Sequence, residues 1–162
     1  MTSQKSLVDA LERAPSIVVP LVRQADPSIV KRRPASRKWS IHEHACHLAD
    51  VHDLFSNRLD LMLSHDDPPI ESFDPGRDHQ DDRLLHVDLE DALRRFDADR
   101  RRLVERVRRL SPEDWNRTAR HNEYNSYSVL TMLRHVVLHD LFHAYRVEEL
   151  LLRRDWPAPR PA

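Results

Sequence analysis

Residues 128–154 read SVLTMLRHVVLHDLFHAYRVEELLLRR and predict a long final helix. At 100° per residue, one face of this helix collects apolar side chains, namely Val129, Met132, Leu133, Val136, Val147, Leu150 and Leu151. The same face contains His139, Asp140 and His143, while His135 lies at its margin. These polar side chains need partners, because an unsatisfied polar group in a core costs about 1–3 kcal/mol.

Residues 40–63 read SIHEHACHLADVHDLFSNRLDLML and predict a second helix. Ser40 and Glu43 form a capping-box signature, in which each side chain accepts a hydrogen bond from a backbone N–H at the helix start. The apolar positions form one broad arc, namely Ile41, Ala45, Leu48, Val51, Phe55, Leu59 and Met62. His44 and His47 fall within this arc, so both are predicted to face the core.

The rest of the chain also favours helices. A first helix is predicted from about Ser3 to Gln24, a third from about 89 to 110, and a short one opening at Pro112. Residues 64–87 are rich in Pro and Asp and predict a long loop between the second and third helices. No segment has the alternating β-branched pattern of a confident strand. We therefore predict an all-α fold, an antiparallel four-helix bundle.

Composition sets the outer bounds. A chain of 162 residues with 40% hydrophobic content predicts a single domain over residues 1–162, with a core at about 3–154 and a tail at 155–162. Lys and Arg number 26 against 27 Asp and Glu, so no basic field predicts a nucleic-acid partner. The basic residues at 100–109 are interleaved with acidic ones and are interpreted as the solvated face of the third helix.

The lack of long apolar runs and the single cysteine predict where the protein is located and which thiol chemistry it can use. No apolar run is long enough for a signal peptide or a membrane span, which predicts a cytoplasmic protein without a membrane partner. A single cysteine, Cys46, excludes an internal disulfide framework and a multi-cysteine zinc site. Cys46 adjoins His47, but neighbouring helical residues point about 100° apart, so a buried or half-buried thiol is favoured over a ligand.

The histidines suggest a metal site. His139 and His143 are four residues apart on one helix face and can bind one ion, with a third ligand, His44 or His47, from the facing helix. His135 is a second choice beside His139. Asp140 is placed to accept a proton from the non-ligating nitrogen of one histidine. A simpler alternative for the last helix is neutral core histidines that hydrogen-bond to Asp140 or to backbone carbonyls.

Several motifs resemble one known family. The stretch from Lys38 to Ile41 leading to His47, and the later HDLFH at 139–143, resemble the opening and closing motifs of the DinB-like superfamily, also called the YfiT-type metal-dependent hydrolases. Between them, Asp114, Trp115, His121 and Tyr124 lie where that family tends to place such residues. The resemblance covers roughly residues 34 to 152.

The resemblance implies a four-helix bundle around a nickel, zinc or similar divalent ion, frequently in a homodimer. Carried over by motif, the ligands are His47, His139 and His143. Two positions depart from the family pattern: His52 stands where many relatives have Glu, and Asn125 where they often have Gly. His52 could alter the surroundings of the metal ligands or lie on the surface, and we favour the interpretation of His52 as a surface residue.

The function expected from such a site is enzymatic. Three ligands leave a coordination position for water or substrate, so the ion could activate water for hydrolysis or bind a thiol as thiolate. The resemblance accordingly implies a hydrolase or a low-molecular-weight-thiol S-transferase with a small-molecule substrate. The alternative is a non-catalytic, metal-stabilised bundle that binds a ligand or associates with itself.

Overall fold

The computed structural model describes residues 3–36, 38–73 and 82–156 of the chain. Its α-helices are α1 (Gln4–Arg23), α2 (Ile41–Asp50), α3 (His52–Ser64), α4 (Leu89–Val107), α5 (Pro112–Asn116) and α6 (Val129–Leu151). A short 3₁₀ helix, Arg83–His86, precedes α4. Helices α1, α2 with α3, α4 and α6 form the predicted four-helix bundle. Residues 74–81 of the predicted long loop and 157–162 of the predicted tail lie outside the described ranges.

Helix starts follow the sequence signals closely. At α2 the backbone N–H of Glu43 donates to Ser40 Oγ over 3.2 Å, and the backbone N–H of Ser40 donates to Glu43 Oε2 over 2.9 Å. Ser111 and Asp114 form the same reciprocal pair at α5. Both capping boxes satisfy backbone donors that a helix start otherwise leaves unpaired.

The second predicted helix is interrupted at Val51, where α2 ends and α3 begins. Val51 has a φ of −78° and a ψ of −2°, so its backbone departs only slightly from the helical region. Its N–H still donates to the His47 carbonyl, and its own carbonyl accepts from Phe55. The prediction of one unbroken helix is wrong here, since no Pro or Gly signals the break.

The all-α prediction is confirmed, and the structure adds a small three-stranded sheet, not predicted from the sequence, that joins two loops. Strands β1 (Pro69–Ile70), β2 (Thr118–His121) and β3 (Tyr127–Ser128) lie in the order β1-β2-β3. The first pair is parallel and the second antiparallel. Strands of two to four residues are too short to show an alternating pattern. The sheet ties the segment after α3 to the segment before α6.

Two apolar clusters form the core of the bundle. The α3 cluster includes Leu7, Leu11, Phe55, Leu59, Leu103, Val104, Met132 and Val136. The α2 cluster includes Val18, Ile41, Leu48, Leu93, Phe96, Val147 and Leu150. On α4 and α6 the residues of the two clusters are separated by buried or half-buried polar side chains. We call these, together with two from α2 and α3, the polar layer: His47, His52, Asp99, Arg100, His139, Asp140 and His143.

Within the described ranges, no helix combines the length and apolar character needed to cross a membrane.

Candidate metal centre

Three histidine side chains of the polar layer meet at one point. His47 comes from α2, whereas His139 and His143 come from successive turns of α6. The Nε2 atom of His139 lies 3.1 Å from His47 Nε2 and 3.2 Å from His143 Nε2. One ligand atom from each residue lies within 4.8 Å of the others. The structure therefore brings together the three residues that the sequence analysis singled out.

The geometry of this cluster fits a divalent ion. Zinc–nitrogen bonds of about 2.0–2.1 Å in a tetrahedron place neighbouring nitrogen atoms about 3.4 Å apart, close to the distances of 3.1 and 3.2 Å from His139 Nε2. Burial lowers the pKa of His143 below its ordinary value, and the neighbouring His139 and His47 lower it further. A neutral imidazole keeps the lone pair that a metal requires. The donor set, three imidazoles, suits zinc, nickel or copper.

His44 lies beside this cluster, not in it. Its Nδ1 is 2.8 Å from His143 Nδ1, so one of the two nitrogens must donate to the other. If His143 presents an unprotonated Nε2 to the cluster, its proton is on Nδ1 and His44 Nδ1 accepts. Burial, together with the charge of Arg146, lowers the pKa of His44 to about 4. His44 is thus a neutral acceptor suited to fixing the tautomer and ring orientation of His143.

Asp140 has a different first partner from the one the sequence suggested. Its two oxygens accept from Arg100 Nε and Nη2, both over 2.7 Å, and both side chains are 0% exposed. The distance from His139 Nδ1 to Asp140 Oδ1 is 3.9 Å, too long for a hydrogen bond. Burial alone would raise the pKa of Asp140, but Arg100 holds it below its ordinary value. Asp140 is therefore a buried carboxylate beside the histidine cluster.

The buried position of Arg100 corrects one sequence prediction. Arg101 and Arg102 are exposed and pair with Asp97 and Asp99 on their own helix, as a solvated face would. Arg100 instead points into the bundle, with its guanidinium 4.9 Å from the Phe96 ring centroid. A run of adjacent arginines places each one about 100° from the next, so one of them can face inward.

Two further histidines, His52 and His135, lie outside the three-histidine cluster. His52 is buried and its Nε2 lies 3.1 Å from Ser56 Oγ, so the interpretation of His52 as a surface residue is wrong. His135 is half-buried and packs against Tyr124 and Tyr127, with ring centroids 5.4 and 5.6 Å apart. It does not belong to the three-histidine cluster.

Trp39 covers one side of the cluster. Its ring centroid lies 4.7 Å from that of His47, 5.5 Å from that of His44 and 5.9 Å from that of His143. The sequence placed Trp39 only within the opening motif of the family resemblance, so its contact with three histidines was not predicted. Cys46 is buried, as expected, and burial raises the pKa of its thiol to about 12. At neutral pH Cys46 is a protonated thiol and a poor metal ligand.

A cavity of about 240 Å³ opens beside the cluster, and we call it the side cavity. His47 and His139 line its inner end. Its other walls include Phe55, Arg58, Phe73, His121, Tyr124, Tyr127 and His135. The sequence pointed to His121 and Tyr124 only through the family resemblance. Arg58 and Phe73 were missed, because nothing in their local pattern distinguishes them from ordinary helix and loop residues.

The chain is similar to proteins of one superfamily. The sequence pattern of the DinB superfamily matches residues 10–146. A relative from Oceanobacillus iheyensis, named "Putative metal-dependent hydrolase OB0782", is 28% identical over 118 residues. That alignment covers 73% of this chain and 68% of the relative.

Solved structures share the fold. YfiT from Bacillus subtilis, described as a probable metal-dependent hydrolase with an unusual four-helix bundle topology, superposes with a TM-score of 0.80 at 21% identity, over 91% of this chain and 85% of that one. TT2238, a four-helix bundle protein, gives 0.65 at 22% identity, over 90% and 98%. The colibactin self-resistance protein ClbS, solved in complex with dsDNA, gives 0.65 at 14% identity, over 96% and 99%. At these identities the likeness concerns the fold.

Proposed function

Since the chain belongs to the DinB superfamily, we propose that it is a metal-dependent enzyme that binds one divalent ion through His47, His139 and His143. The observation that carries this proposal is the convergence of three imidazole nitrogens, with Nε2 distances of 3.1 and 3.2 Å, at the inner end of a cavity. Zinc and nickel are the ions we favour, since both accept nitrogen donors of this kind.

The reaction we favour is hydrolysis of a small-molecule substrate. An ion held by three protein ligands keeps a coordination position at which it can act as a Lewis acid on water, on a thiol or on a carbonyl oxygen. The chain's own residues supply the rest: His44 orients His143, Trp39 covers one side of the cluster, and the side cavity admits the substrate. The relative from Oceanobacillus iheyensis is named for hydrolysis, which supports this choice.

Thiol S-transfer is the second candidate reaction. The observation that favours it is the aromatic lining of the side cavity, with Phe73, Tyr124 and Tyr127, which would also accept a low-molecular-weight thiol. In that reaction the thiol comes from the substrate, because the chain's own thiol, Cys46, is buried and protonated. Turnover of simple esters without added thiol, lost in His139→Ala, is the outcome expected of the hydrolase. A strict requirement for a thiol is the outcome expected of the transferase.

The decisive experiment is metal analysis of purified variants. Deleting one of three ligands leaves too few bonds to hold the ion, so we expect His47→Ala, His139→Ala and His143→Ala each to lose most of their metal after dialysis. His86→Ala, an exposed histidine of the 3₁₀ helix, is the matched control and should retain it. Equal metal content in the control and the three ligand variants would refute the site. A metal-loaded protein without turnover of any substrate would favour a non-catalytic, metal-stabilised bundle.

We also propose that the chain is one domain and forms a homodimer. Leu138, Leu141, Phe142 and Tyr145 are exposed on α6 at a spacing that places them along one face. Contiguous exposed apolar surface of this kind is typical of a protein interface. A second copy of the same helix face is the proposed occupant.

A further inference from the structure

Arg58 is the charged anchor of the side cavity. Among the cavity-lining residues that the structure describes, it has the one permanent positive charge, and Glu123 has the one carboxylate. The Glu123 side chain is exposed at the rim, whereas Arg58 is half-buried. A partly desolvated charge acts more strongly on a ligand than an exposed one does, because water screens it less. The interior of the side cavity is therefore biased toward anions.

The guanidinium of Arg58 is held in place before any ligand arrives. Its Nη2 donates to the carbonyl oxygen of Glu71, in the segment that leads to Phe73. The carboxylate of Glu71 is engaged elsewhere, since its Oε2 accepts from Asn122 Nδ2 over 2.7 Å. No described carboxylate lies within ion-pair distance of Arg58. Arg58 also hydrogen-bonds to the side chain of Tyr127. Because a guanidinium has five N–H donors, others remain for a ligand beside those that meet Glu71 and Tyr127.

Aromatic rings surround this charge. Tyr124 and Tyr127 stack with centroids 6.1 Å apart, and His121 lies 4.5 and 4.8 Å from them. Burial lowers the pKa of His121 and the charge of Arg58 lowers it further, while Glu123 opposes the shift. At neutral pH the imidazole is accordingly neutral and adds apolar area to the wall. The walls suit the hydrocarbon or aromatic part of a small ligand.

We propose that the side cavity binds a small substrate bearing a carboxylate, which pairs with Arg58 while its apolar part packs against Tyr124 and Tyr127. The volume, about 240 Å³, is below the usual range of ligand pockets, which begins at about 300 Å³, and limits the substrate to a small molecule. A carboxylate matches the planar fork of a guanidinium better than a spherical anion does. The reacting group of the substrate would face His47 and His139, and only this part of the assignment rests on the proposed function. Binding of the carboxylate to Arg58 does not depend on it.

The test compares two probes of the same shape. Phenylacetate carries the carboxylate, and phenylacetamide is its neutral counterpart. Their dissociation constants are measured by NMR titration on the zinc-loaded protein. Because a charge-assisted hydrogen bond to a carboxylate contributes more than a neutral one, phenylacetate should bind about tenfold or more tightly than phenylacetamide.

Variants then locate the source of that preference. Arg58→Gln should bring the ratio of the two dissociation constants close to one, whereas Arg94→Gln, at an exposed arginine of α4, should leave it unchanged. If Arg58 had only a structural role, Arg58→Gln would weaken the binding of both probes equally and leave the ratio of their dissociation constants unchanged. That result would overturn the proposal. No binding of either probe, or equal binding of both by the native protein, would overturn it as well.

The metal offers a rival explanation, because a carboxylate could bind the ion directly. His139→Ala separates the two sources. A preference that survives in His139→Ala and disappears in Arg58→Gln supports the Arg58 site, even if the proposed metal function fails. A preference that disappears in His139→Ala and survives in Arg58→Gln assigns the carboxylate to the ion and overturns the proposal.

Discussion

The two apolar clusters and the polar layer between them lie on the same helices but bury opposite kinds of side chain, apolar in the clusters and polar or charged in the layer. In the α3 and α2 clusters the buried residues are those that the hydrophobic effect selects, and helical spacing alone predicts them. In the polar layer, α4 and α6 bury a charged pair, Arg100 and Asp140, next to two histidines. Burying charges is costly unless they are paired. The comparison shows that the two ends of the bundle bury apolar side chains, whereas its middle buries a charged pair beside a histidine cluster.

The largest effect should come from breaking the buried ion pair. Arg100→Met leaves the Asp140 carboxylate buried without its partner, which should lower the free energy of unfolding by about 3–5 kcal/mol. Urea unfolding followed by circular dichroism measures this change. Arg101→Met, at an exposed neighbour on the same helix, is the control and should have little effect.

A double variant sharpens this prediction. Arg100→Met combined with Asp140→Leu replaces the whole pair with apolar side chains and should recover most of the lost stability. Full stability of Arg100→Met alone would contradict the view that the polar layer depends on this pair.

Much of the bundle could be predicted from the sequence, because its signals are local. The capping residues Ser40 and Ser111 mark helix starts, and the four-residue spacing of His139 and His143 puts both rings on one face. The family resemblance selected His47 over His44, and the structure puts His47 with the other two. The metal itself stays a prediction.

The remaining features could not be predicted, because they depend on contacts between residues far apart in sequence. Arg100 meets Asp140 across 40 positions, and His44 meets His143 across 99. Strand β1 pairs with β2 through Pro69 opposite Arg120, with no alternating pattern to reveal either strand. The sequence around each of these residues resembles that of an ordinary exposed or core position. It therefore gives no sign of the distant partner.

The next effect concerns the orientation of the proposed ligand His143. His44→Ala removes the nitrogen that lies 2.8 Å from His143 Nδ1, so zinc affinity should fall about 10- to 100-fold without abolishing binding. Competition with a chromophoric chelator measures the dissociation constant. His44→Gln, whose amide oxygen can accept the same proton, should recover part of the affinity. Unchanged affinity in His44→Ala would show that His143 needs no such orientation.

Acid should weaken the protein in a defined pH range. Burial lowers the pKa of His44 to about 4, and burial together with the charge of Lys31 lowers the pKa of His42. Both histidines are therefore neutral in the folded chain but protonated in the unfolded chain below about pH 6.5. The contribution of His44 to stability is present above pH 6.5 and decreases as the pH falls from 6.5 toward 4, and the contribution of His42 decreases in the same direction.

The free energy of unfolding should decrease by about 1.4 kcal/mol per pH unit for each histidine that takes up a proton on unfolding. We call this change with pH the slope. Urea unfolding of chelator-treated protein between pH 7 and 5 measures it without competition from a metal. The slope should be smaller in His44→Asn, which has no titratable group at that position. A free energy of unfolding that stays constant over this range would contradict the buried, neutral state of both histidines.

The smallest effect on the fold is expected on the outer face of the same turns of α6. Phe142 and Tyr145 are 56% and 63% exposed, although the adjacent His143 and Ala144 are buried. Phe142→Ser removes an edge-to-face contact with the His143 ring, with centroids 5.2 Å apart, but little buried apolar area, so the free energy of unfolding of the monomer should change by less than about 1 kcal/mol. If this face forms the proposed homodimer, the same substitution should shift the mass measured by light scattering from dimer to monomer while metal content stays the same. A stable dimer in Phe142→Ser would place the interface elsewhere, and a loss of metal would show that the outer face and the polar layer are not independent.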